Sequence, residues 1–167
     1  MSVRKEVLLA QMRACRNQDG WFAPLNIALQ GLTAEQAAKQ VGQTGNSIYG
    51  IVNHLVFWNE RYLQRFKQEI VLPLNISNAE TFGNIDSDGI TMNWDDLKIK
   101  LDDLLAQWEE AIINCDDAKL DDRTNPDNEE LWWTSLAYLV IHNANHIGQI
   151  VHIRKELGLW ETWGNIG

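Results

Sequence analysis

The sequence predicts an all-α protein, a four-helix bundle with a long crossover between its second and third long helices. Three observations carry that expectation. Four long segments repeat apolar residues at helical spacing, each bounded by capping or breaking residues. No alternating strand pattern of useful length separates them; the nearest candidate, Ile70 to Leu74, is broken by Pro73. The stretch from Ile70 to Thr91 is too long for a hairpin turn and long enough to cross the end of a bundle. A chain of 167 residues suffices for one such domain, residues 1–167, with a substantial core.

The first helix is expected from about Val3 to Asn17, ended by Asp19-Gly20. Trp21 to Gln30 reads as a short helix closed by Gly31, and Leu32 to Gln40 as another, capped by Thr33. The second long helix begins among the capping residues Thr44 to Ser47 and runs to about Glu69. The third opens at Asn93, with Asp95 and Asp96 in its first turn, where carboxylates favour the positive helix end. Its stripe of Trp94, Leu97, Leu101, Leu104, Leu105, Trp108 and Ile112 ends near Asn114. The acidic run Asp116 to Asn128 reads as a solvated loop, and the fourth helix spans about Leu131 to Leu157, stopped by Gly158. The tail Leu159 to Trp163 either caps the core or reaches a partner.

Charge and composition exclude several functions. A net charge of −9 and a pI near 4.8 oppose attraction to nucleic acid or to anionic lipid. The densest basic group, Arg61, Arg65 and Lys67, forms no stripe. No apolar run approaches the roughly 20 residues of a membrane-crossing helix. Val7 to Ala10, after Arg4 and Lys5, is too short for a secretory core, so the expectation is a cytoplasmic protein with no nucleic-acid and no membrane partner. Cys15 and Cys115 each continue an apolar helical stripe and read as reduced core thiols. The eight tryptophans suit a tightly packed core, with some available for a pocket or an interface.

The stretch HNANHIGQI, residues 142–150, carries the chemistry. His142 and His146 lie four residues apart, about 400° around a helix, so both imidazoles can reach one ion. His152 falls off that face. Two histidines alone are a weak signal, and the alternative, in which each ring finds its own hydrogen bond, stays open. Two features raise the stakes. The surrounding helix is apolar almost all round, and a third histidine, His54, stands mid-helix in IVNHLVFWNERY. Small residues one turn before His54, Gly50 among them, would leave room for an ion or ligand. If the second and fourth long helices are neighbours, three imidazoles could bind a divalent metal and leave a position open, as catalytic sites do.

HNANHIGQI resembles the H-N-A-x-H-x-G-Q motif on the last helix of DinB-like proteins, a superfamily of DNA-damage-inducible four-helix bundles. NSIYGIVNHLVFWNERYL is similar to that family's second-helix segment, in which a histidine is followed four residues later by Trp. GLTAEQA, the Thr81-Phe82 pair, WDDLKIKLDDLL and IRKELGLW extend the likeness over nearly the whole chain. The resemblance implies a metal site of His54, His142 and His146, a bundle with a long crossover, and commonly a homodimer. Asn145 stands where the family motif often has an aromatic. Some relatives are metal-dependent thiol enzymes, including transferases that use bacillithiol or mycothiol and a maleylpyruvate isomerase.

The expectation for function is therefore a divalent-metal protein, with Zn or Ni first among the metals that suit three imidazoles. Its activity would be thiol S-transfer onto a small-molecule substrate with a low-molecular-weight thiol, or hydrolysis as the nearest variant. Trp58, Arg61, Tyr62 and Gln149 are the candidate pocket residues: Trp58 and Tyr62 as aromatic walls, Arg61 toward substrate, Gln149 to orient a ligand. No general base stands out. The competing expectation is a non-catalytic metal- or ligand-binding bundle of a stress response.

Overall fold

Three of the four long helices start at a side chain that accepts a hydrogen bond from a free backbone amide, and the fourth starts at Leu131, with Trp132 N donating to the Asp122 carbonyl at 3.0 Å. The structure, a computed structural model, describes residues 1–42, 45–83 and 92–160. Six α-helices and two 3₁₀ turns form among these residues, with no strand: α1 (Val3–Arg16), α2 (Leu25–Ala28), α3 (Ala34–Ala38), α4 (Ile48–Phe66), α5 (Trp94–Asn114) and α6 (Trp132–Glu156). Ser2 caps α1, Ser47 caps α4 by accepting from Gly50 N, and Asn93 caps α5 by accepting from Asp96 N. Thr33 and Gln36 close a reciprocal capping box on α3.

The four long helices pack in a ring, α4 on α5, α5 on α1, α1 on α6 and α6 on α4. α1 and α4 face each other across the bundle, as do α5 and α6, so α4 and α6 are the neighbours that a shared site needs. Trp108 and Trp132 are fully buried in the centre, and truncating either to Ala would cost about 3–5 kcal/mol. The Trp108 indole donates to the Asn59 carbonyl at 3.1 Å, so even this ring's polar edge is satisfied. Asn59 and Asn143 pair reciprocally at 2.9 and 3.1 Å between α4 and α6, both fully buried. That pair fixes the axial register of the two helices, because any sliding would strand two amides. Lys5 is buried as well, its ammonium donating to the Ile113 and Cys115 carbonyls at the C-terminal end of α5.

Several boundaries differ from expectation. α4 ends at Phe66 rather than Glu69, with Gln68 in the left-handed region at φ 62°. The first short helix covers only Leu25–Ala28, because Pro24 is preset for its N-cap and Trp21, 92% exposed, has nothing to pack against. The acidic run is not wholly solvated: Asp117–Asp121 forms a 3₁₀ turn that buries Leu120. Arg154 donates to the Leu159 and Ala28 carbonyls and covers the Trp160 ring, so the described start of the tail caps the core, while Trp163 lies outside the described residues. Thr44 and the end of the crossover, 84–91, also lie outside them.

The crossover matters most for the site. Its described part turns at Ala79–Phe82 and packs directly on α4. Asn53 donates to the Thr81 carbonyl at 3.0 Å, pinning the turn to the helix. A Cβ at Gly50 would stand 2.6 Å from the Phe82 carbonyl oxygen. The space beside Gly50 therefore admits crossover backbone, not the ion or ligand the sequence suggested.

Candidate metal centre

His54 from α4 meets His142 and His146 from α6, one turn apart on the inward face. Ring centroids lie 5.0 Å (His54–His142), 4.7 Å (His54–His146) and 4.5 Å (His142–His146) apart. One nitrogen from each ring lies within 4.8 Å of the others, a set that could hold a metal ion. His54 and His146 are buried and His142 is half-buried.

The partners of each ring fix where its proton sits. The Thr81 hydroxyl donates to the Asn78 carbonyl at 2.5 Å, which spends its only hydrogen. It must then accept from His54 Nδ1, 2.5 Å away, so the neutral His54 ring keeps its Nε2 lone pair free. Phe82 stacks on the same ring at 3.9 Å and 12°. His146 Nδ1 donates to Gln149 Oε1 at 3.0 Å, which likewise leaves Nε2 unprotonated.

His142 has no satisfactory proton position. Its Nε2 lies 2.9 Å from His54 Nε2, and its Nδ1 is buried without a hydrogen-bond partner. A proton on Nε2 bridges to His54 and orphans the Nδ1 lone pair; a proton on Nδ1 orphans an N–H and sets two lone pairs face to face. A second proton on the ring is no remedy. Burial, then His146 and His142, push His54 down to about 3. Burial and His146 push His142 down to about 4. Asn143 opposes that fall, but its amide is committed to Asn59 and makes no hydrogen bond to His142 Nδ1. Burial also lowers His146, against the pull of Gln149. Nitrogens that share one ion at about 2.0–2.1 Å stand about 2.9–3.4 Å apart, so the His54–His142 approach fits a shared divalent cation.

The triad lines a cavity of about 430 Å³, also lined by Trp58, Tyr62, Asn78, Phe82, Glu130, Ser135, Tyr138 and Leu139. The expected walls Trp58 and Tyr62 are in place. Gln149 orients His146 and does not line the cavity; Arg61, half-buried on α4, does not line it either. Burial and Arg65 hold the Arg61 guanidinium below its usual range. Asn145 is exposed and His152 points to solvent, off the site.

A family model described as the DinB superfamily matches residues 23–150. The chain belongs to the DinB superfamily. Neither the comparison with curated proteins nor that with solved structures returns a match. The matched span holds α4, the described crossover turn, α5 and all three histidines of this DinB-superfamily bundle. No helix among the described residues is long and apolar enough to cross a membrane.

Sequence reasoning missed Asn78, Glu130 and Ser135, and it gave Thr81 and Phe82 no role. Thr81 and Phe82 had a signal, since both stand in the family-like crossover pair. Glu130 had none: it closes an acidic loop in which nothing marks one carboxylate from the next.

Proposed function

We propose that this chain holds one divalent ion, Zn or Ni, on His54, His142 and His146 and is a metal-dependent thiol S-transferase. The observation that carries this reading is the convergence of three neutral imidazoles in the lining of an open, aromatic-walled cavity. The three ligands bring no negative charge, so an ion bound there acts as a Lewis acid that lowers the pKa of a thiol, or of water in the hydrolytic variant.

The chain's own residues do the rest. Thr81 and Phe82 hold the His54 ring and Gln149 holds His146, so binding requires little reorganisation. Trp58, Tyr62 and Tyr138 offer apolar faces to a small electrophile. In the transfer the thiol gives up its proton, its sulfur forms a bond to the electrophilic carbon, and the leaving group departs with its electron pair. The reading includes a cytosolic homodimer.

The test compares protein as purified, chelated, and reloaded with Zn or Ni, assayed with low-molecular-weight thiols and an aryl halide electrophile. Activity lost on chelation, restored by metal and absent in His54→Ala supports the reading. Full activity in chelated protein, or no turnover at full metal occupancy, overturns it; the second outcome leaves a metal-binding protein without catalysis.

A further inference from the structure

Glu130 is a half-buried carboxylate that no described cation neutralises. Its backbone is pinned, with its carbonyl accepting from Thr124 N at 2.8 Å and its N–H donating to Asn128 Oδ1 at 3.2 Å. Its neighbour Glu129 pairs with Arg123, and Glu60 pairs with Lys100, yet Glu130 forms no ion pair among the described residues. Glu130 lines the triad cavity instead, and among the described residues no Lys or Arg lines that cavity with it.

The cavity is thus polarised. Its three histidines are neutral until a cation binds. Glu130 supplies the one carboxylate among its described lining residues. Trp58 and Tyr138 line the same cavity; the Trp58 indole is set by donating to Asn78 Oδ1 at 3.3 Å, and Tyr138 is 62% exposed. Arg65 already lies 5.7 Å over the Tyr62 ring, so Tyr62 is the less available face. A carboxylate beside open aromatic faces attracts an organic ammonium group through charge and through the ring quadrupole. An anionic group in the same place meets Glu130 and a chain whose net charge is −9.

We propose that the cavity selects thiols whose far end carries a positively charged amino group, with that group held at Glu130 against Trp58 and Tyr138. The inference rests on the thiol reading above and adds to it the charge of the ligand.

Three thiols with the same six-carbon chain test it: 6-aminohexanethiol, 6-mercaptohexanol and 6-mercaptohexanoate. Each is titrated into Co(II)-loaded protein, wild type and Glu130→Gln, and followed by the thiolate-to-cobalt charge-transfer band. Six carbons separate sulfur from nitrogen too far for easy chelation, and Gln keeps the backbone bonds of Glu130. The expected result is binding of the amine about tenfold tighter than the carboxylate, with the alcohol between them. In Glu130→Gln that spread shrinks to within about twofold. Bands of equal affinity for all three thiols, or a preference that survives in Glu130→Gln, overturn the inference while leaving the thiol reading intact. No band with any of them, including a protein that takes up no cobalt, overturns the thiol reading and this inference with it.

Discussion

The Thr81 hydroxyl accepts a hydrogen bond from His54 Nδ1 at 2.5 Å, joining the crossover turn to the middle of α4. Because the same hydroxyl donates to Asn78 O, the bond sets the tautomer that leaves His54 Nε2 free. Thr81→Val keeps the shape and removes the acceptor. Divalent-metal affinity, read by competition with a chelating dye, should fall about 10–100-fold, and Thr81→Ser should restore most of it. Unchanged affinity in Thr81→Val would mean that the tautomer is set elsewhere.

Gly50 acts through the same turn. An added methyl meets the Phe82 carbonyl, which is backbone and cannot rotate away. Gly50→Ala should cost about 1–3 kcal/mol of stability and weaken metal binding, although it touches no histidine. Wild-type melting temperature together with wild-type affinity would refute the close approach.

The Asn59–Asn143 pair gives a prediction independent of the metal. Asn59→Leu leaves the Asn143 amide buried and unpaired and should cost about 2–3 kcal/mol in denaturant unfolding. The Asn59→Leu, Asn143→Leu double variant should recover more than half of the summed single losses, since neither amide then remains to be satisfied. Simple additivity would argue against the pairing.

Acid should loosen the metal-free protein. The folded triad stays neutral down to about 4 for His142 and about 3 for His54, whereas an unfolded imidazole protonates below about 6.5. Between those values the unfolded chain binds more protons, so the triad's contribution is fully present above about pH 6.5 and is lost as pH falls toward 4. Thermal unfolding across that window should show a shallower slope for His142→Ala than for wild type. Equal slopes would mean that the triad does not drive the loss.

The long helices were legible because their signals are local. Asn93 before two aspartates and the seven-residue apolar stripe after it mark α5 from start to finish. Likewise, i,i+4 spacing put His142 and His146 on one face without any tertiary information. His54 stood out as one more mid-helix histidine, but its part in the site hung on the second and fourth long helices being neighbours, since spacing within α4 says nothing of its distance from α6. Gly50 shows the limit well: a small residue signals a close approach, but only the folded chain says what approaches. Composition could not say which tryptophans join the core: Trp108 and Trp132 do, whereas Trp21 is 92% exposed beside the short α2. Glu130 reaches the cavity through the path of the loop before α6, a relationship that no periodicity encodes.

The central claim is that His54, His142 and His146 hold one divalent ion. Elemental analysis of protein purified without a histidine tag, beside His54→Ala and His142→Ala, tests it most directly. The account predicts near-stoichiometric Zn or Ni in the wild type, lost from both variants while their far-ultraviolet dichroism remains helical. A metal-free wild type that also fails to take up added Zn or Ni would contradict it.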